Sequence, residues 1–245
     1  MLLAPADIKL FVNVFLKLFL RPLAILSLSL FALGAFAQGT ETKKFYLGIG
    51  VGPIIPQSVS SNLTGAIAGT GSLQFNASGF VGLVIGYRVK EHFGIEGEGG
   101  WTLYDSHDLV GTFSRAASPL PRDIPLNGDM HTWLSMANLV YRPRRQDARL
   151  APYFGAGIGA AGLEWLVDSR PGGSIILGLR GGSTSLSADA MAGLDCSITK
   201  RFSLGGRYNF IHVVHDIPAV SGGGITLSHS APEIHLLQMV GTYRF

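Results

Sequence analysis

The sequence predicts an all-β chain: an eight-stranded antiparallel up-and-down transmembrane β-barrel with short periplasmic turns and long extracellular loops. Three observations predict it. Apolar residues make up 47% of the 245 residues and charged ones only 14%, against about 25% charged in ordinary soluble domains. From Lys44 onward the apolar residues alternate with a period of two, and no continuous run reaches the roughly 18 apolar residues that a membrane helix needs. The alternation recurs eight times, with connections that are short at one end and long at the other.

The leader comes first. Lys9, Lys17 and Arg21 precede an apolar run from Pro22 to Leu33, and Gly34-Ala35-Phe36-Ala37 supplies small residues for cleavage before Gln38. Residues 1–37 therefore read as a secretory signal peptide and 38–245 as the barrel domain. An uncleaved anchor is the alternative, and it would hold Lys17 and Arg21 in hydrocarbon. No cysteine stands at the cleavage site, so no lipid anchor is expected. Without the leader the net charge of +3 falls close to balance, which is no footprint for nucleic acid. The lone Cys196 excludes an internal disulfide and any CxxC site.

The strands follow in order. Phe45, Leu47, Ile49 and Val51 alternate with Tyr46, Gly48, Gly50 and Gly52, giving one bulky and one small face. Val81, Leu83, Ile85, Tyr87 and Val89 mark the second strand, and Phe93, Ile95, Trp101 and Leu103 the third. The fourth runs from His131 to Arg142, and the fifth from Pro152 to Leu163, with Phe154, Ala156 and Ile158 against glycines. Leu186, Ala188, Ala190, Ala192, Leu194, Cys196 and Ile198 mark the sixth, Phe202, Leu204, Tyr208 and Phe210 the seventh, and Leu237, Met239, Tyr243 and Phe245 the eighth. Short polar turns fall at Lys90 to His92, Pro143 to Arg149 and Thr199 to Arg201. Long Gly/Ser/Pro/Asp-rich connections run from Pro56 to Asn76, Asp105 to Asp129, Val167 to Thr184 and His212 to Ala231.

The charges decide which face meets lipid. Arg88, Glu96, Glu98, Asp189, Asp195, Arg207 and Arg244 all lie opposite the bulky face. A basic side chain on the lipid face costs about 2–4 kcal/mol at the midplane, so these groups belong in the lumen. Aromatic residues near the strand ends, among them Phe45, Tyr46, Tyr87, Trp101, Trp133, Tyr141, Tyr153, Phe202 and Tyr243, suit the two interfacial girdles.

These residues resemble the small bacterial outer-membrane barrels of the OmpA, OmpX and opacity-protein type. Phe45 to Gly52, Ala151 to Ala160 and the terminal Gly241-Thr242-Tyr243-Arg244-Phe245 carry the resemblance, which covers Lys44 to Phe245. It implies a place in the bacterial outer membrane and a terminal signal, formed by Met239, Tyr243 and Phe245, for the outer-membrane insertion machinery. Members with a peptidoglycan-binding domain continue past the barrel, and this chain is expected to lack one.

Glu96, Glu98, Asp195, Arg88 and Arg207 fall at similar heights near the short-turn end, so a cross-lumen charge network is expected. Gly157-Ile158-Gly159-Ala160-Ala161-Gly162 matches a dinucleotide pattern, but amphipathic helices between strands are missing, and glycines on a narrow lumen relieve crowding instead. His212, His215, His229 and His235 flank the last long connection, where exposed loop histidines are expected rather than a metal site. Lipid A deacylases are also eight-stranded barrels; Arg207 to His212 resembles the start of their motif, but Val213-Val214-His215-Asp216 follows where a serine belongs. Cys196 reads as an apolar filler on the lipid face. The reading is of a structural or surface-interaction protein, adhesin-like, with a plugged lumen, no enzyme activity, no cofactor and no general porin function. Its expected partners are outer-membrane lipids, the insertion machinery and host or neighbouring-cell surface ligands that meet the loops. A lipid A deacylase or a narrow channel is the alternative.

Overall fold

The computed structural model describes residues 44–104, 107–115, 118–119, 123–126, 128–143, 148–169, 177–214, 217–222 and 224–245. The expected signal peptide lies outside these residues. The described residues form strands β1 (Phe45–Pro56), β2 (Val59–Gly65), β3 (Ala68–Phe75), β4 (Ser78–Arg88), β5 (Phe93–Tyr104), β6 (His107–Arg115), β7 (Ser118–Pro119) and β8 (Asp123–Leu126). They continue with β9 (Gly128–Tyr141), β10 (Leu150–Ser169), β11 (Leu177–Ser197), β12 (Phe202–Val213), β13 (Ile217–Gly222), β14 (Ile225–His229) and β15 (Glu233–Arg244).

Eight of these close a ring in the order β10-β9-β5-β4-β1-β15-β12-β11, and β11 pairs with β10 again. Every pairing is antiparallel, and the first strand meets the last with Leu47 opposite Tyr243. A closed wall is what lipid demands, because an unpaired backbone group there has no water to bond. Tight turns join the strands at one end. The Val89 and Lys90 amides both donate to the Phe93 carbonyl at 3.0 Å, and Thr199 Oγ1 accepts from the Phe202 amide at 2.9 Å.

At the other end the long connections carry more pairing than their composition predicts. β2 follows β1, β4 follows β3, β6 follows β5, β9 follows β8, β13 follows β12 and β15 follows β14 after only one to three residues of sequence, while β10 and β11 run on as single long strands. The continuations pair in turn: β11 with β13, β13 with β14, β14 with β2, β2 with β3, β3 with β6 and β6 with β8. β8 lies beside β10. The barrel thus carries an upper tier built by its own strands.

The two tiers have opposite polarity. In the lower tier Leu47, Ile49, Val51, Ile158, Leu237 and Met239 are exposed, while Glu96, Glu98, Arg207 and Asn209 are buried. In the upper tier Val59, Leu63, Leu73, Leu109, Phe113 and Leu227 are buried, and Ser60, Asn62, Thr64, Gln74 and Ser228 face out. Apolar side chains outside and polar ones inside suit hydrocarbon; the reverse suits water. The phase shift between Ile54 and Val59 lies across the exposed Gln57 and Ser58. From Phe45 to Ile55 the outward face spans about 34 Å along the strand, or about 25 Å of membrane height at the usual tilt.

Candidate functional site

The inward face of the lower tier gathers the ionisable residues. β5 supplies Glu96 and Glu98, β12 supplies Arg207 and Asn209, β11 supplies Asp189 and Asp195, and β15 supplies Gln238; Arg142 follows β9 directly. Strand parity brings them inward, since each lies an even number of residues from an inward neighbour on its strand.

Arg207 lies at the centre. Its Nη2 meets Glu96 Oε2 at 2.6 Å and its Nη1 meets Glu98 Oε2 at 3.1 Å. Its Nε donates to Tyr153 Oη at 3.0 Å. Arg142 Nη2 lies 3.0 Å from Glu96 Oε1 and 3.9 Å from Asp195 Oδ2. Tyr46 Oη donates to Glu96 Oε1 at 2.6 Å, so Glu96, 0% exposed, is held by two guanidinium groups and a phenol. The Tyr153 ring lies close to both cations, with its centroid 5.0 Å from the Arg142 guanidinium carbon and 5.3 Å from that of Arg207. Gln238 Nε2 donates to Glu98 Oε1 at 2.6 Å, and Asn209 Nδ2 bridges Glu98 and Asp189 at 3.3 and 3.2 Å. A charge buried this deeply persists only when paired and hydrogen-bonded, and most carboxylate oxygens here meet donors.

The structure brings together Glu96, Glu98, Asp195 and Arg207. Arg88 belongs to the same inward set but stands partly exposed at the short-turn end. Arg142, Tyr46, Tyr153, Asn209 and Gln238 also belong to the cluster, and reading the sequence missed them as its members. Tyr46 and Tyr153 do not join the girdle: they are 4% and 1% exposed, in phase with the inward glycines. Gly86 makes room for the Tyr46 ring and Gly193 for the Tyr153 ring, since a Cβ at either position would overlap that ring. Above the cluster, Ile54, Phe80, Leu134, Ile211 and Leu236 join the upper-tier core.

Met239, Tyr243 and Phe245 face outward on β15 and just beyond it, at 58%, 40% and 65% exposure. Cys196 is partly exposed on the same outer surface. The three described histidines of this set lie on strands, not in loops. His229 is buried inside the upper tier, His212 and His235 lie on β12 and β15 with outward side chains, and His215 lies outside the described residues. His235 Nδ1 is 2.6 Å from Tyr208 Oη, and His212 Nδ1 is 3.8 Å from Glu233 Oε1. Val214 stands exposed beyond His212, and a valine offers no nucleophile. Among the described residues no three His, Cys, Asp or Glu side chains are placed to hold a metal ion.

A closed antiparallel wall, apolar outside and ionic inside, defines an integral outer-membrane barrel. The chain belongs to the family of the outer membrane protein β-barrel domain, whose model matches residues 23–234. No curated protein sequence matches it. Among solved structures it is similar to the outer membrane protein OprG from Pseudomonas aeruginosa, at 14% identity and a TM-score of 0.58, covering 85% of this chain and 99% of that one. Neisserial surface protein A aligns at 15% identity and a TM-score of 0.44 over 82% and 97% of the two chains. The attachment invasion locus protein Ail of Yersinia pestis aligns at 14% identity and 0.40 over 82% and 99%. These likenesses extend to the fold alone.

Proposed function

We propose that the protein is a closed-lumen barrel with a structural and surface-interaction role in the outer membrane, neither an enzyme nor a general porin. The observation that carries this reading is the lumen cluster, in which Arg207 ties β12 to β5 and β10 while Arg142 ties β9 to β5 and β11. A network across an eight-stranded lumen leaves little room for solutes. The upper tier then presents a firm polar surface to ligands on other cells, and Met239, Tyr243 and Phe245 serve the insertion machinery.

Planar bilayer recording tests the closed lumen. The folded protein is expected to give no stable conductance steps, and Arg207→Glu is expected to introduce them; steady steps from the unsubstituted protein would overturn the reading. The outward His212–Glu233 pair favours a second reading, acyl-chain hydrolysis on lipid A. Incubation with lipid A is expected to release no fatty acid, and release that disappears in His212→Ala would replace the first reading with the second.

A further inference from the structure

The rim of the short-turn end is rich in one sign of charge. Lys44 precedes β1, Lys90 lies in the turn before β5, Arg149 in the turn before β10, and Lys200 and Arg201 in the turn before β12. Backbone hydrogen bonds hold these places to the wall. The Arg88 amide donates to the Lys44 carbonyl at 2.8 Å, that of Ser197 to Arg149 at 3.0 Å and that of Arg244 to Arg201 at 2.8 Å. Lys90, Arg149, Lys200 and Arg201 are exposed and Lys44 is half-buried, with Glu91 as an exposed acid among them. The lower aromatic girdle lies at the same end, where Phe45 packs on Tyr87 at 4.7 Å and Phe93 on Tyr141 at 5.2 Å. Arg201 Nη1 donates to Tyr243 Oη at 3.4 Å, which sets that cation at the level where lipid headgroups begin.

We propose that this basic annulus binds the phosphate groups of anionic phospholipids in the periplasmic leaflet. Its shape selects that occupant. The cations come from four separate places around the circumference, at the end of the barrel where the girdle lies, so they meet a lipid ring around the barrel, whereas a soluble polyanion docks on one compact patch. Lysine and arginine near an anionic surface act together, and salt screens them within a Debye length.

Spin-labelled lipids in bilayers holding the full chain test this. Phosphatidylglycerol is expected to associate with the protein about threefold more than phosphatidylcholine at low salt. The preference should fall close to one at about 0.5 M salt and in the variant Lys44→Gln, Lys90→Gln, Arg149→Gln, Arg201→Gln. Heat-modifiable migration on gels checks that the variant folds, and Lys90→Gln with Arg149→Gln replaces it otherwise, with an intermediate preference expected. Equal association of the two lipids with the unsubstituted barrel overturns the proposal, as does an undiminished preference in a folded variant. Retention on peptidoglycan sacculi that the variant loses, without any lipid preference, assigns the annulus to a polymer instead and also overturns it.

Discussion

Arg207 satisfies two carboxylates and a phenol with one guanidinium, so its removal strands negative charge in a site that water barely reaches. Arg207→Met is expected to cost about 3–5 kcal/mol of unfolding free energy in urea titrations of the lipid-embedded protein. Adding Glu96→Gln to it should recover part of that loss. Gly193 faces the Tyr153 ring, and Gly193→Val should cost about 1–3 kcal/mol in the same titration through overpacking. Much of the cluster was legible from residue type and parity alone: Glu96, Glu98, Asp195 and Arg207 stand out because ionisable groups in a lipid-spanning strand have only one tolerable side. Arg142 was hidden by its position at a strand end, where a cation on a turn needs no partner. Tyr46 and Tyr153 were hidden because a tyrosine near a strand end suits a girdle and a lumen equally, and only the glycine paired opposite each on the neighbouring strand distinguishes the two.

Each long hairpin changes its environment partway along. The upper tier holds together by its inward apolar residues, with Phe113 2% exposed and in register with Gly69 across the β3–β6 pair. Phe113→Ala is expected to cost about 3–5 kcal/mol of local stability. Limited proteolysis of the variant should nick the segments between β2 and β3 or around β6, and leave a protease-resistant lower barrel. Cleavage no faster than in the unsubstituted protein would show that this core does not order the tier. The eight membrane strands were plain in the sequence because lipid enforces strict alternation over ten residues. The upper strands were not, because Ser, Thr, Asn and Gln fill their outward positions and Gly69, Gly71 and Gly111 interrupt their inward apolar face, so the segments imitate loops. Alternating Val59, Ser61 and Leu63 against Ser60, Asn62 and Thr64 was the available signal.

For the molecule as a whole, the polarity reversal locates the membrane. Val51 lies midway between Phe45 and Gln57 on the outer wall and is 49% exposed, whereas Asn62 faces out from the upper tier. Val51→Arg should cost about 2–4 kcal/mol in lipid-embedded unfolding, and Asn62→Arg less than about 0.5 kcal/mol. Equal costs would dissolve the two-tier assignment. The seam where β1 meets β15 has a separate consequence. The Phe245 amide donates to the Phe45 carbonyl at 3.1 Å, so the two ends of the described chain lie side by side at the seam. Joining Phe245 to Lys44 by a short linker and opening the chain at Lys90 would leave every rung of the wall where it is. Such a circular permutant should reach the same folded barrel, while the order in which the rungs are laid down begins from a different strand.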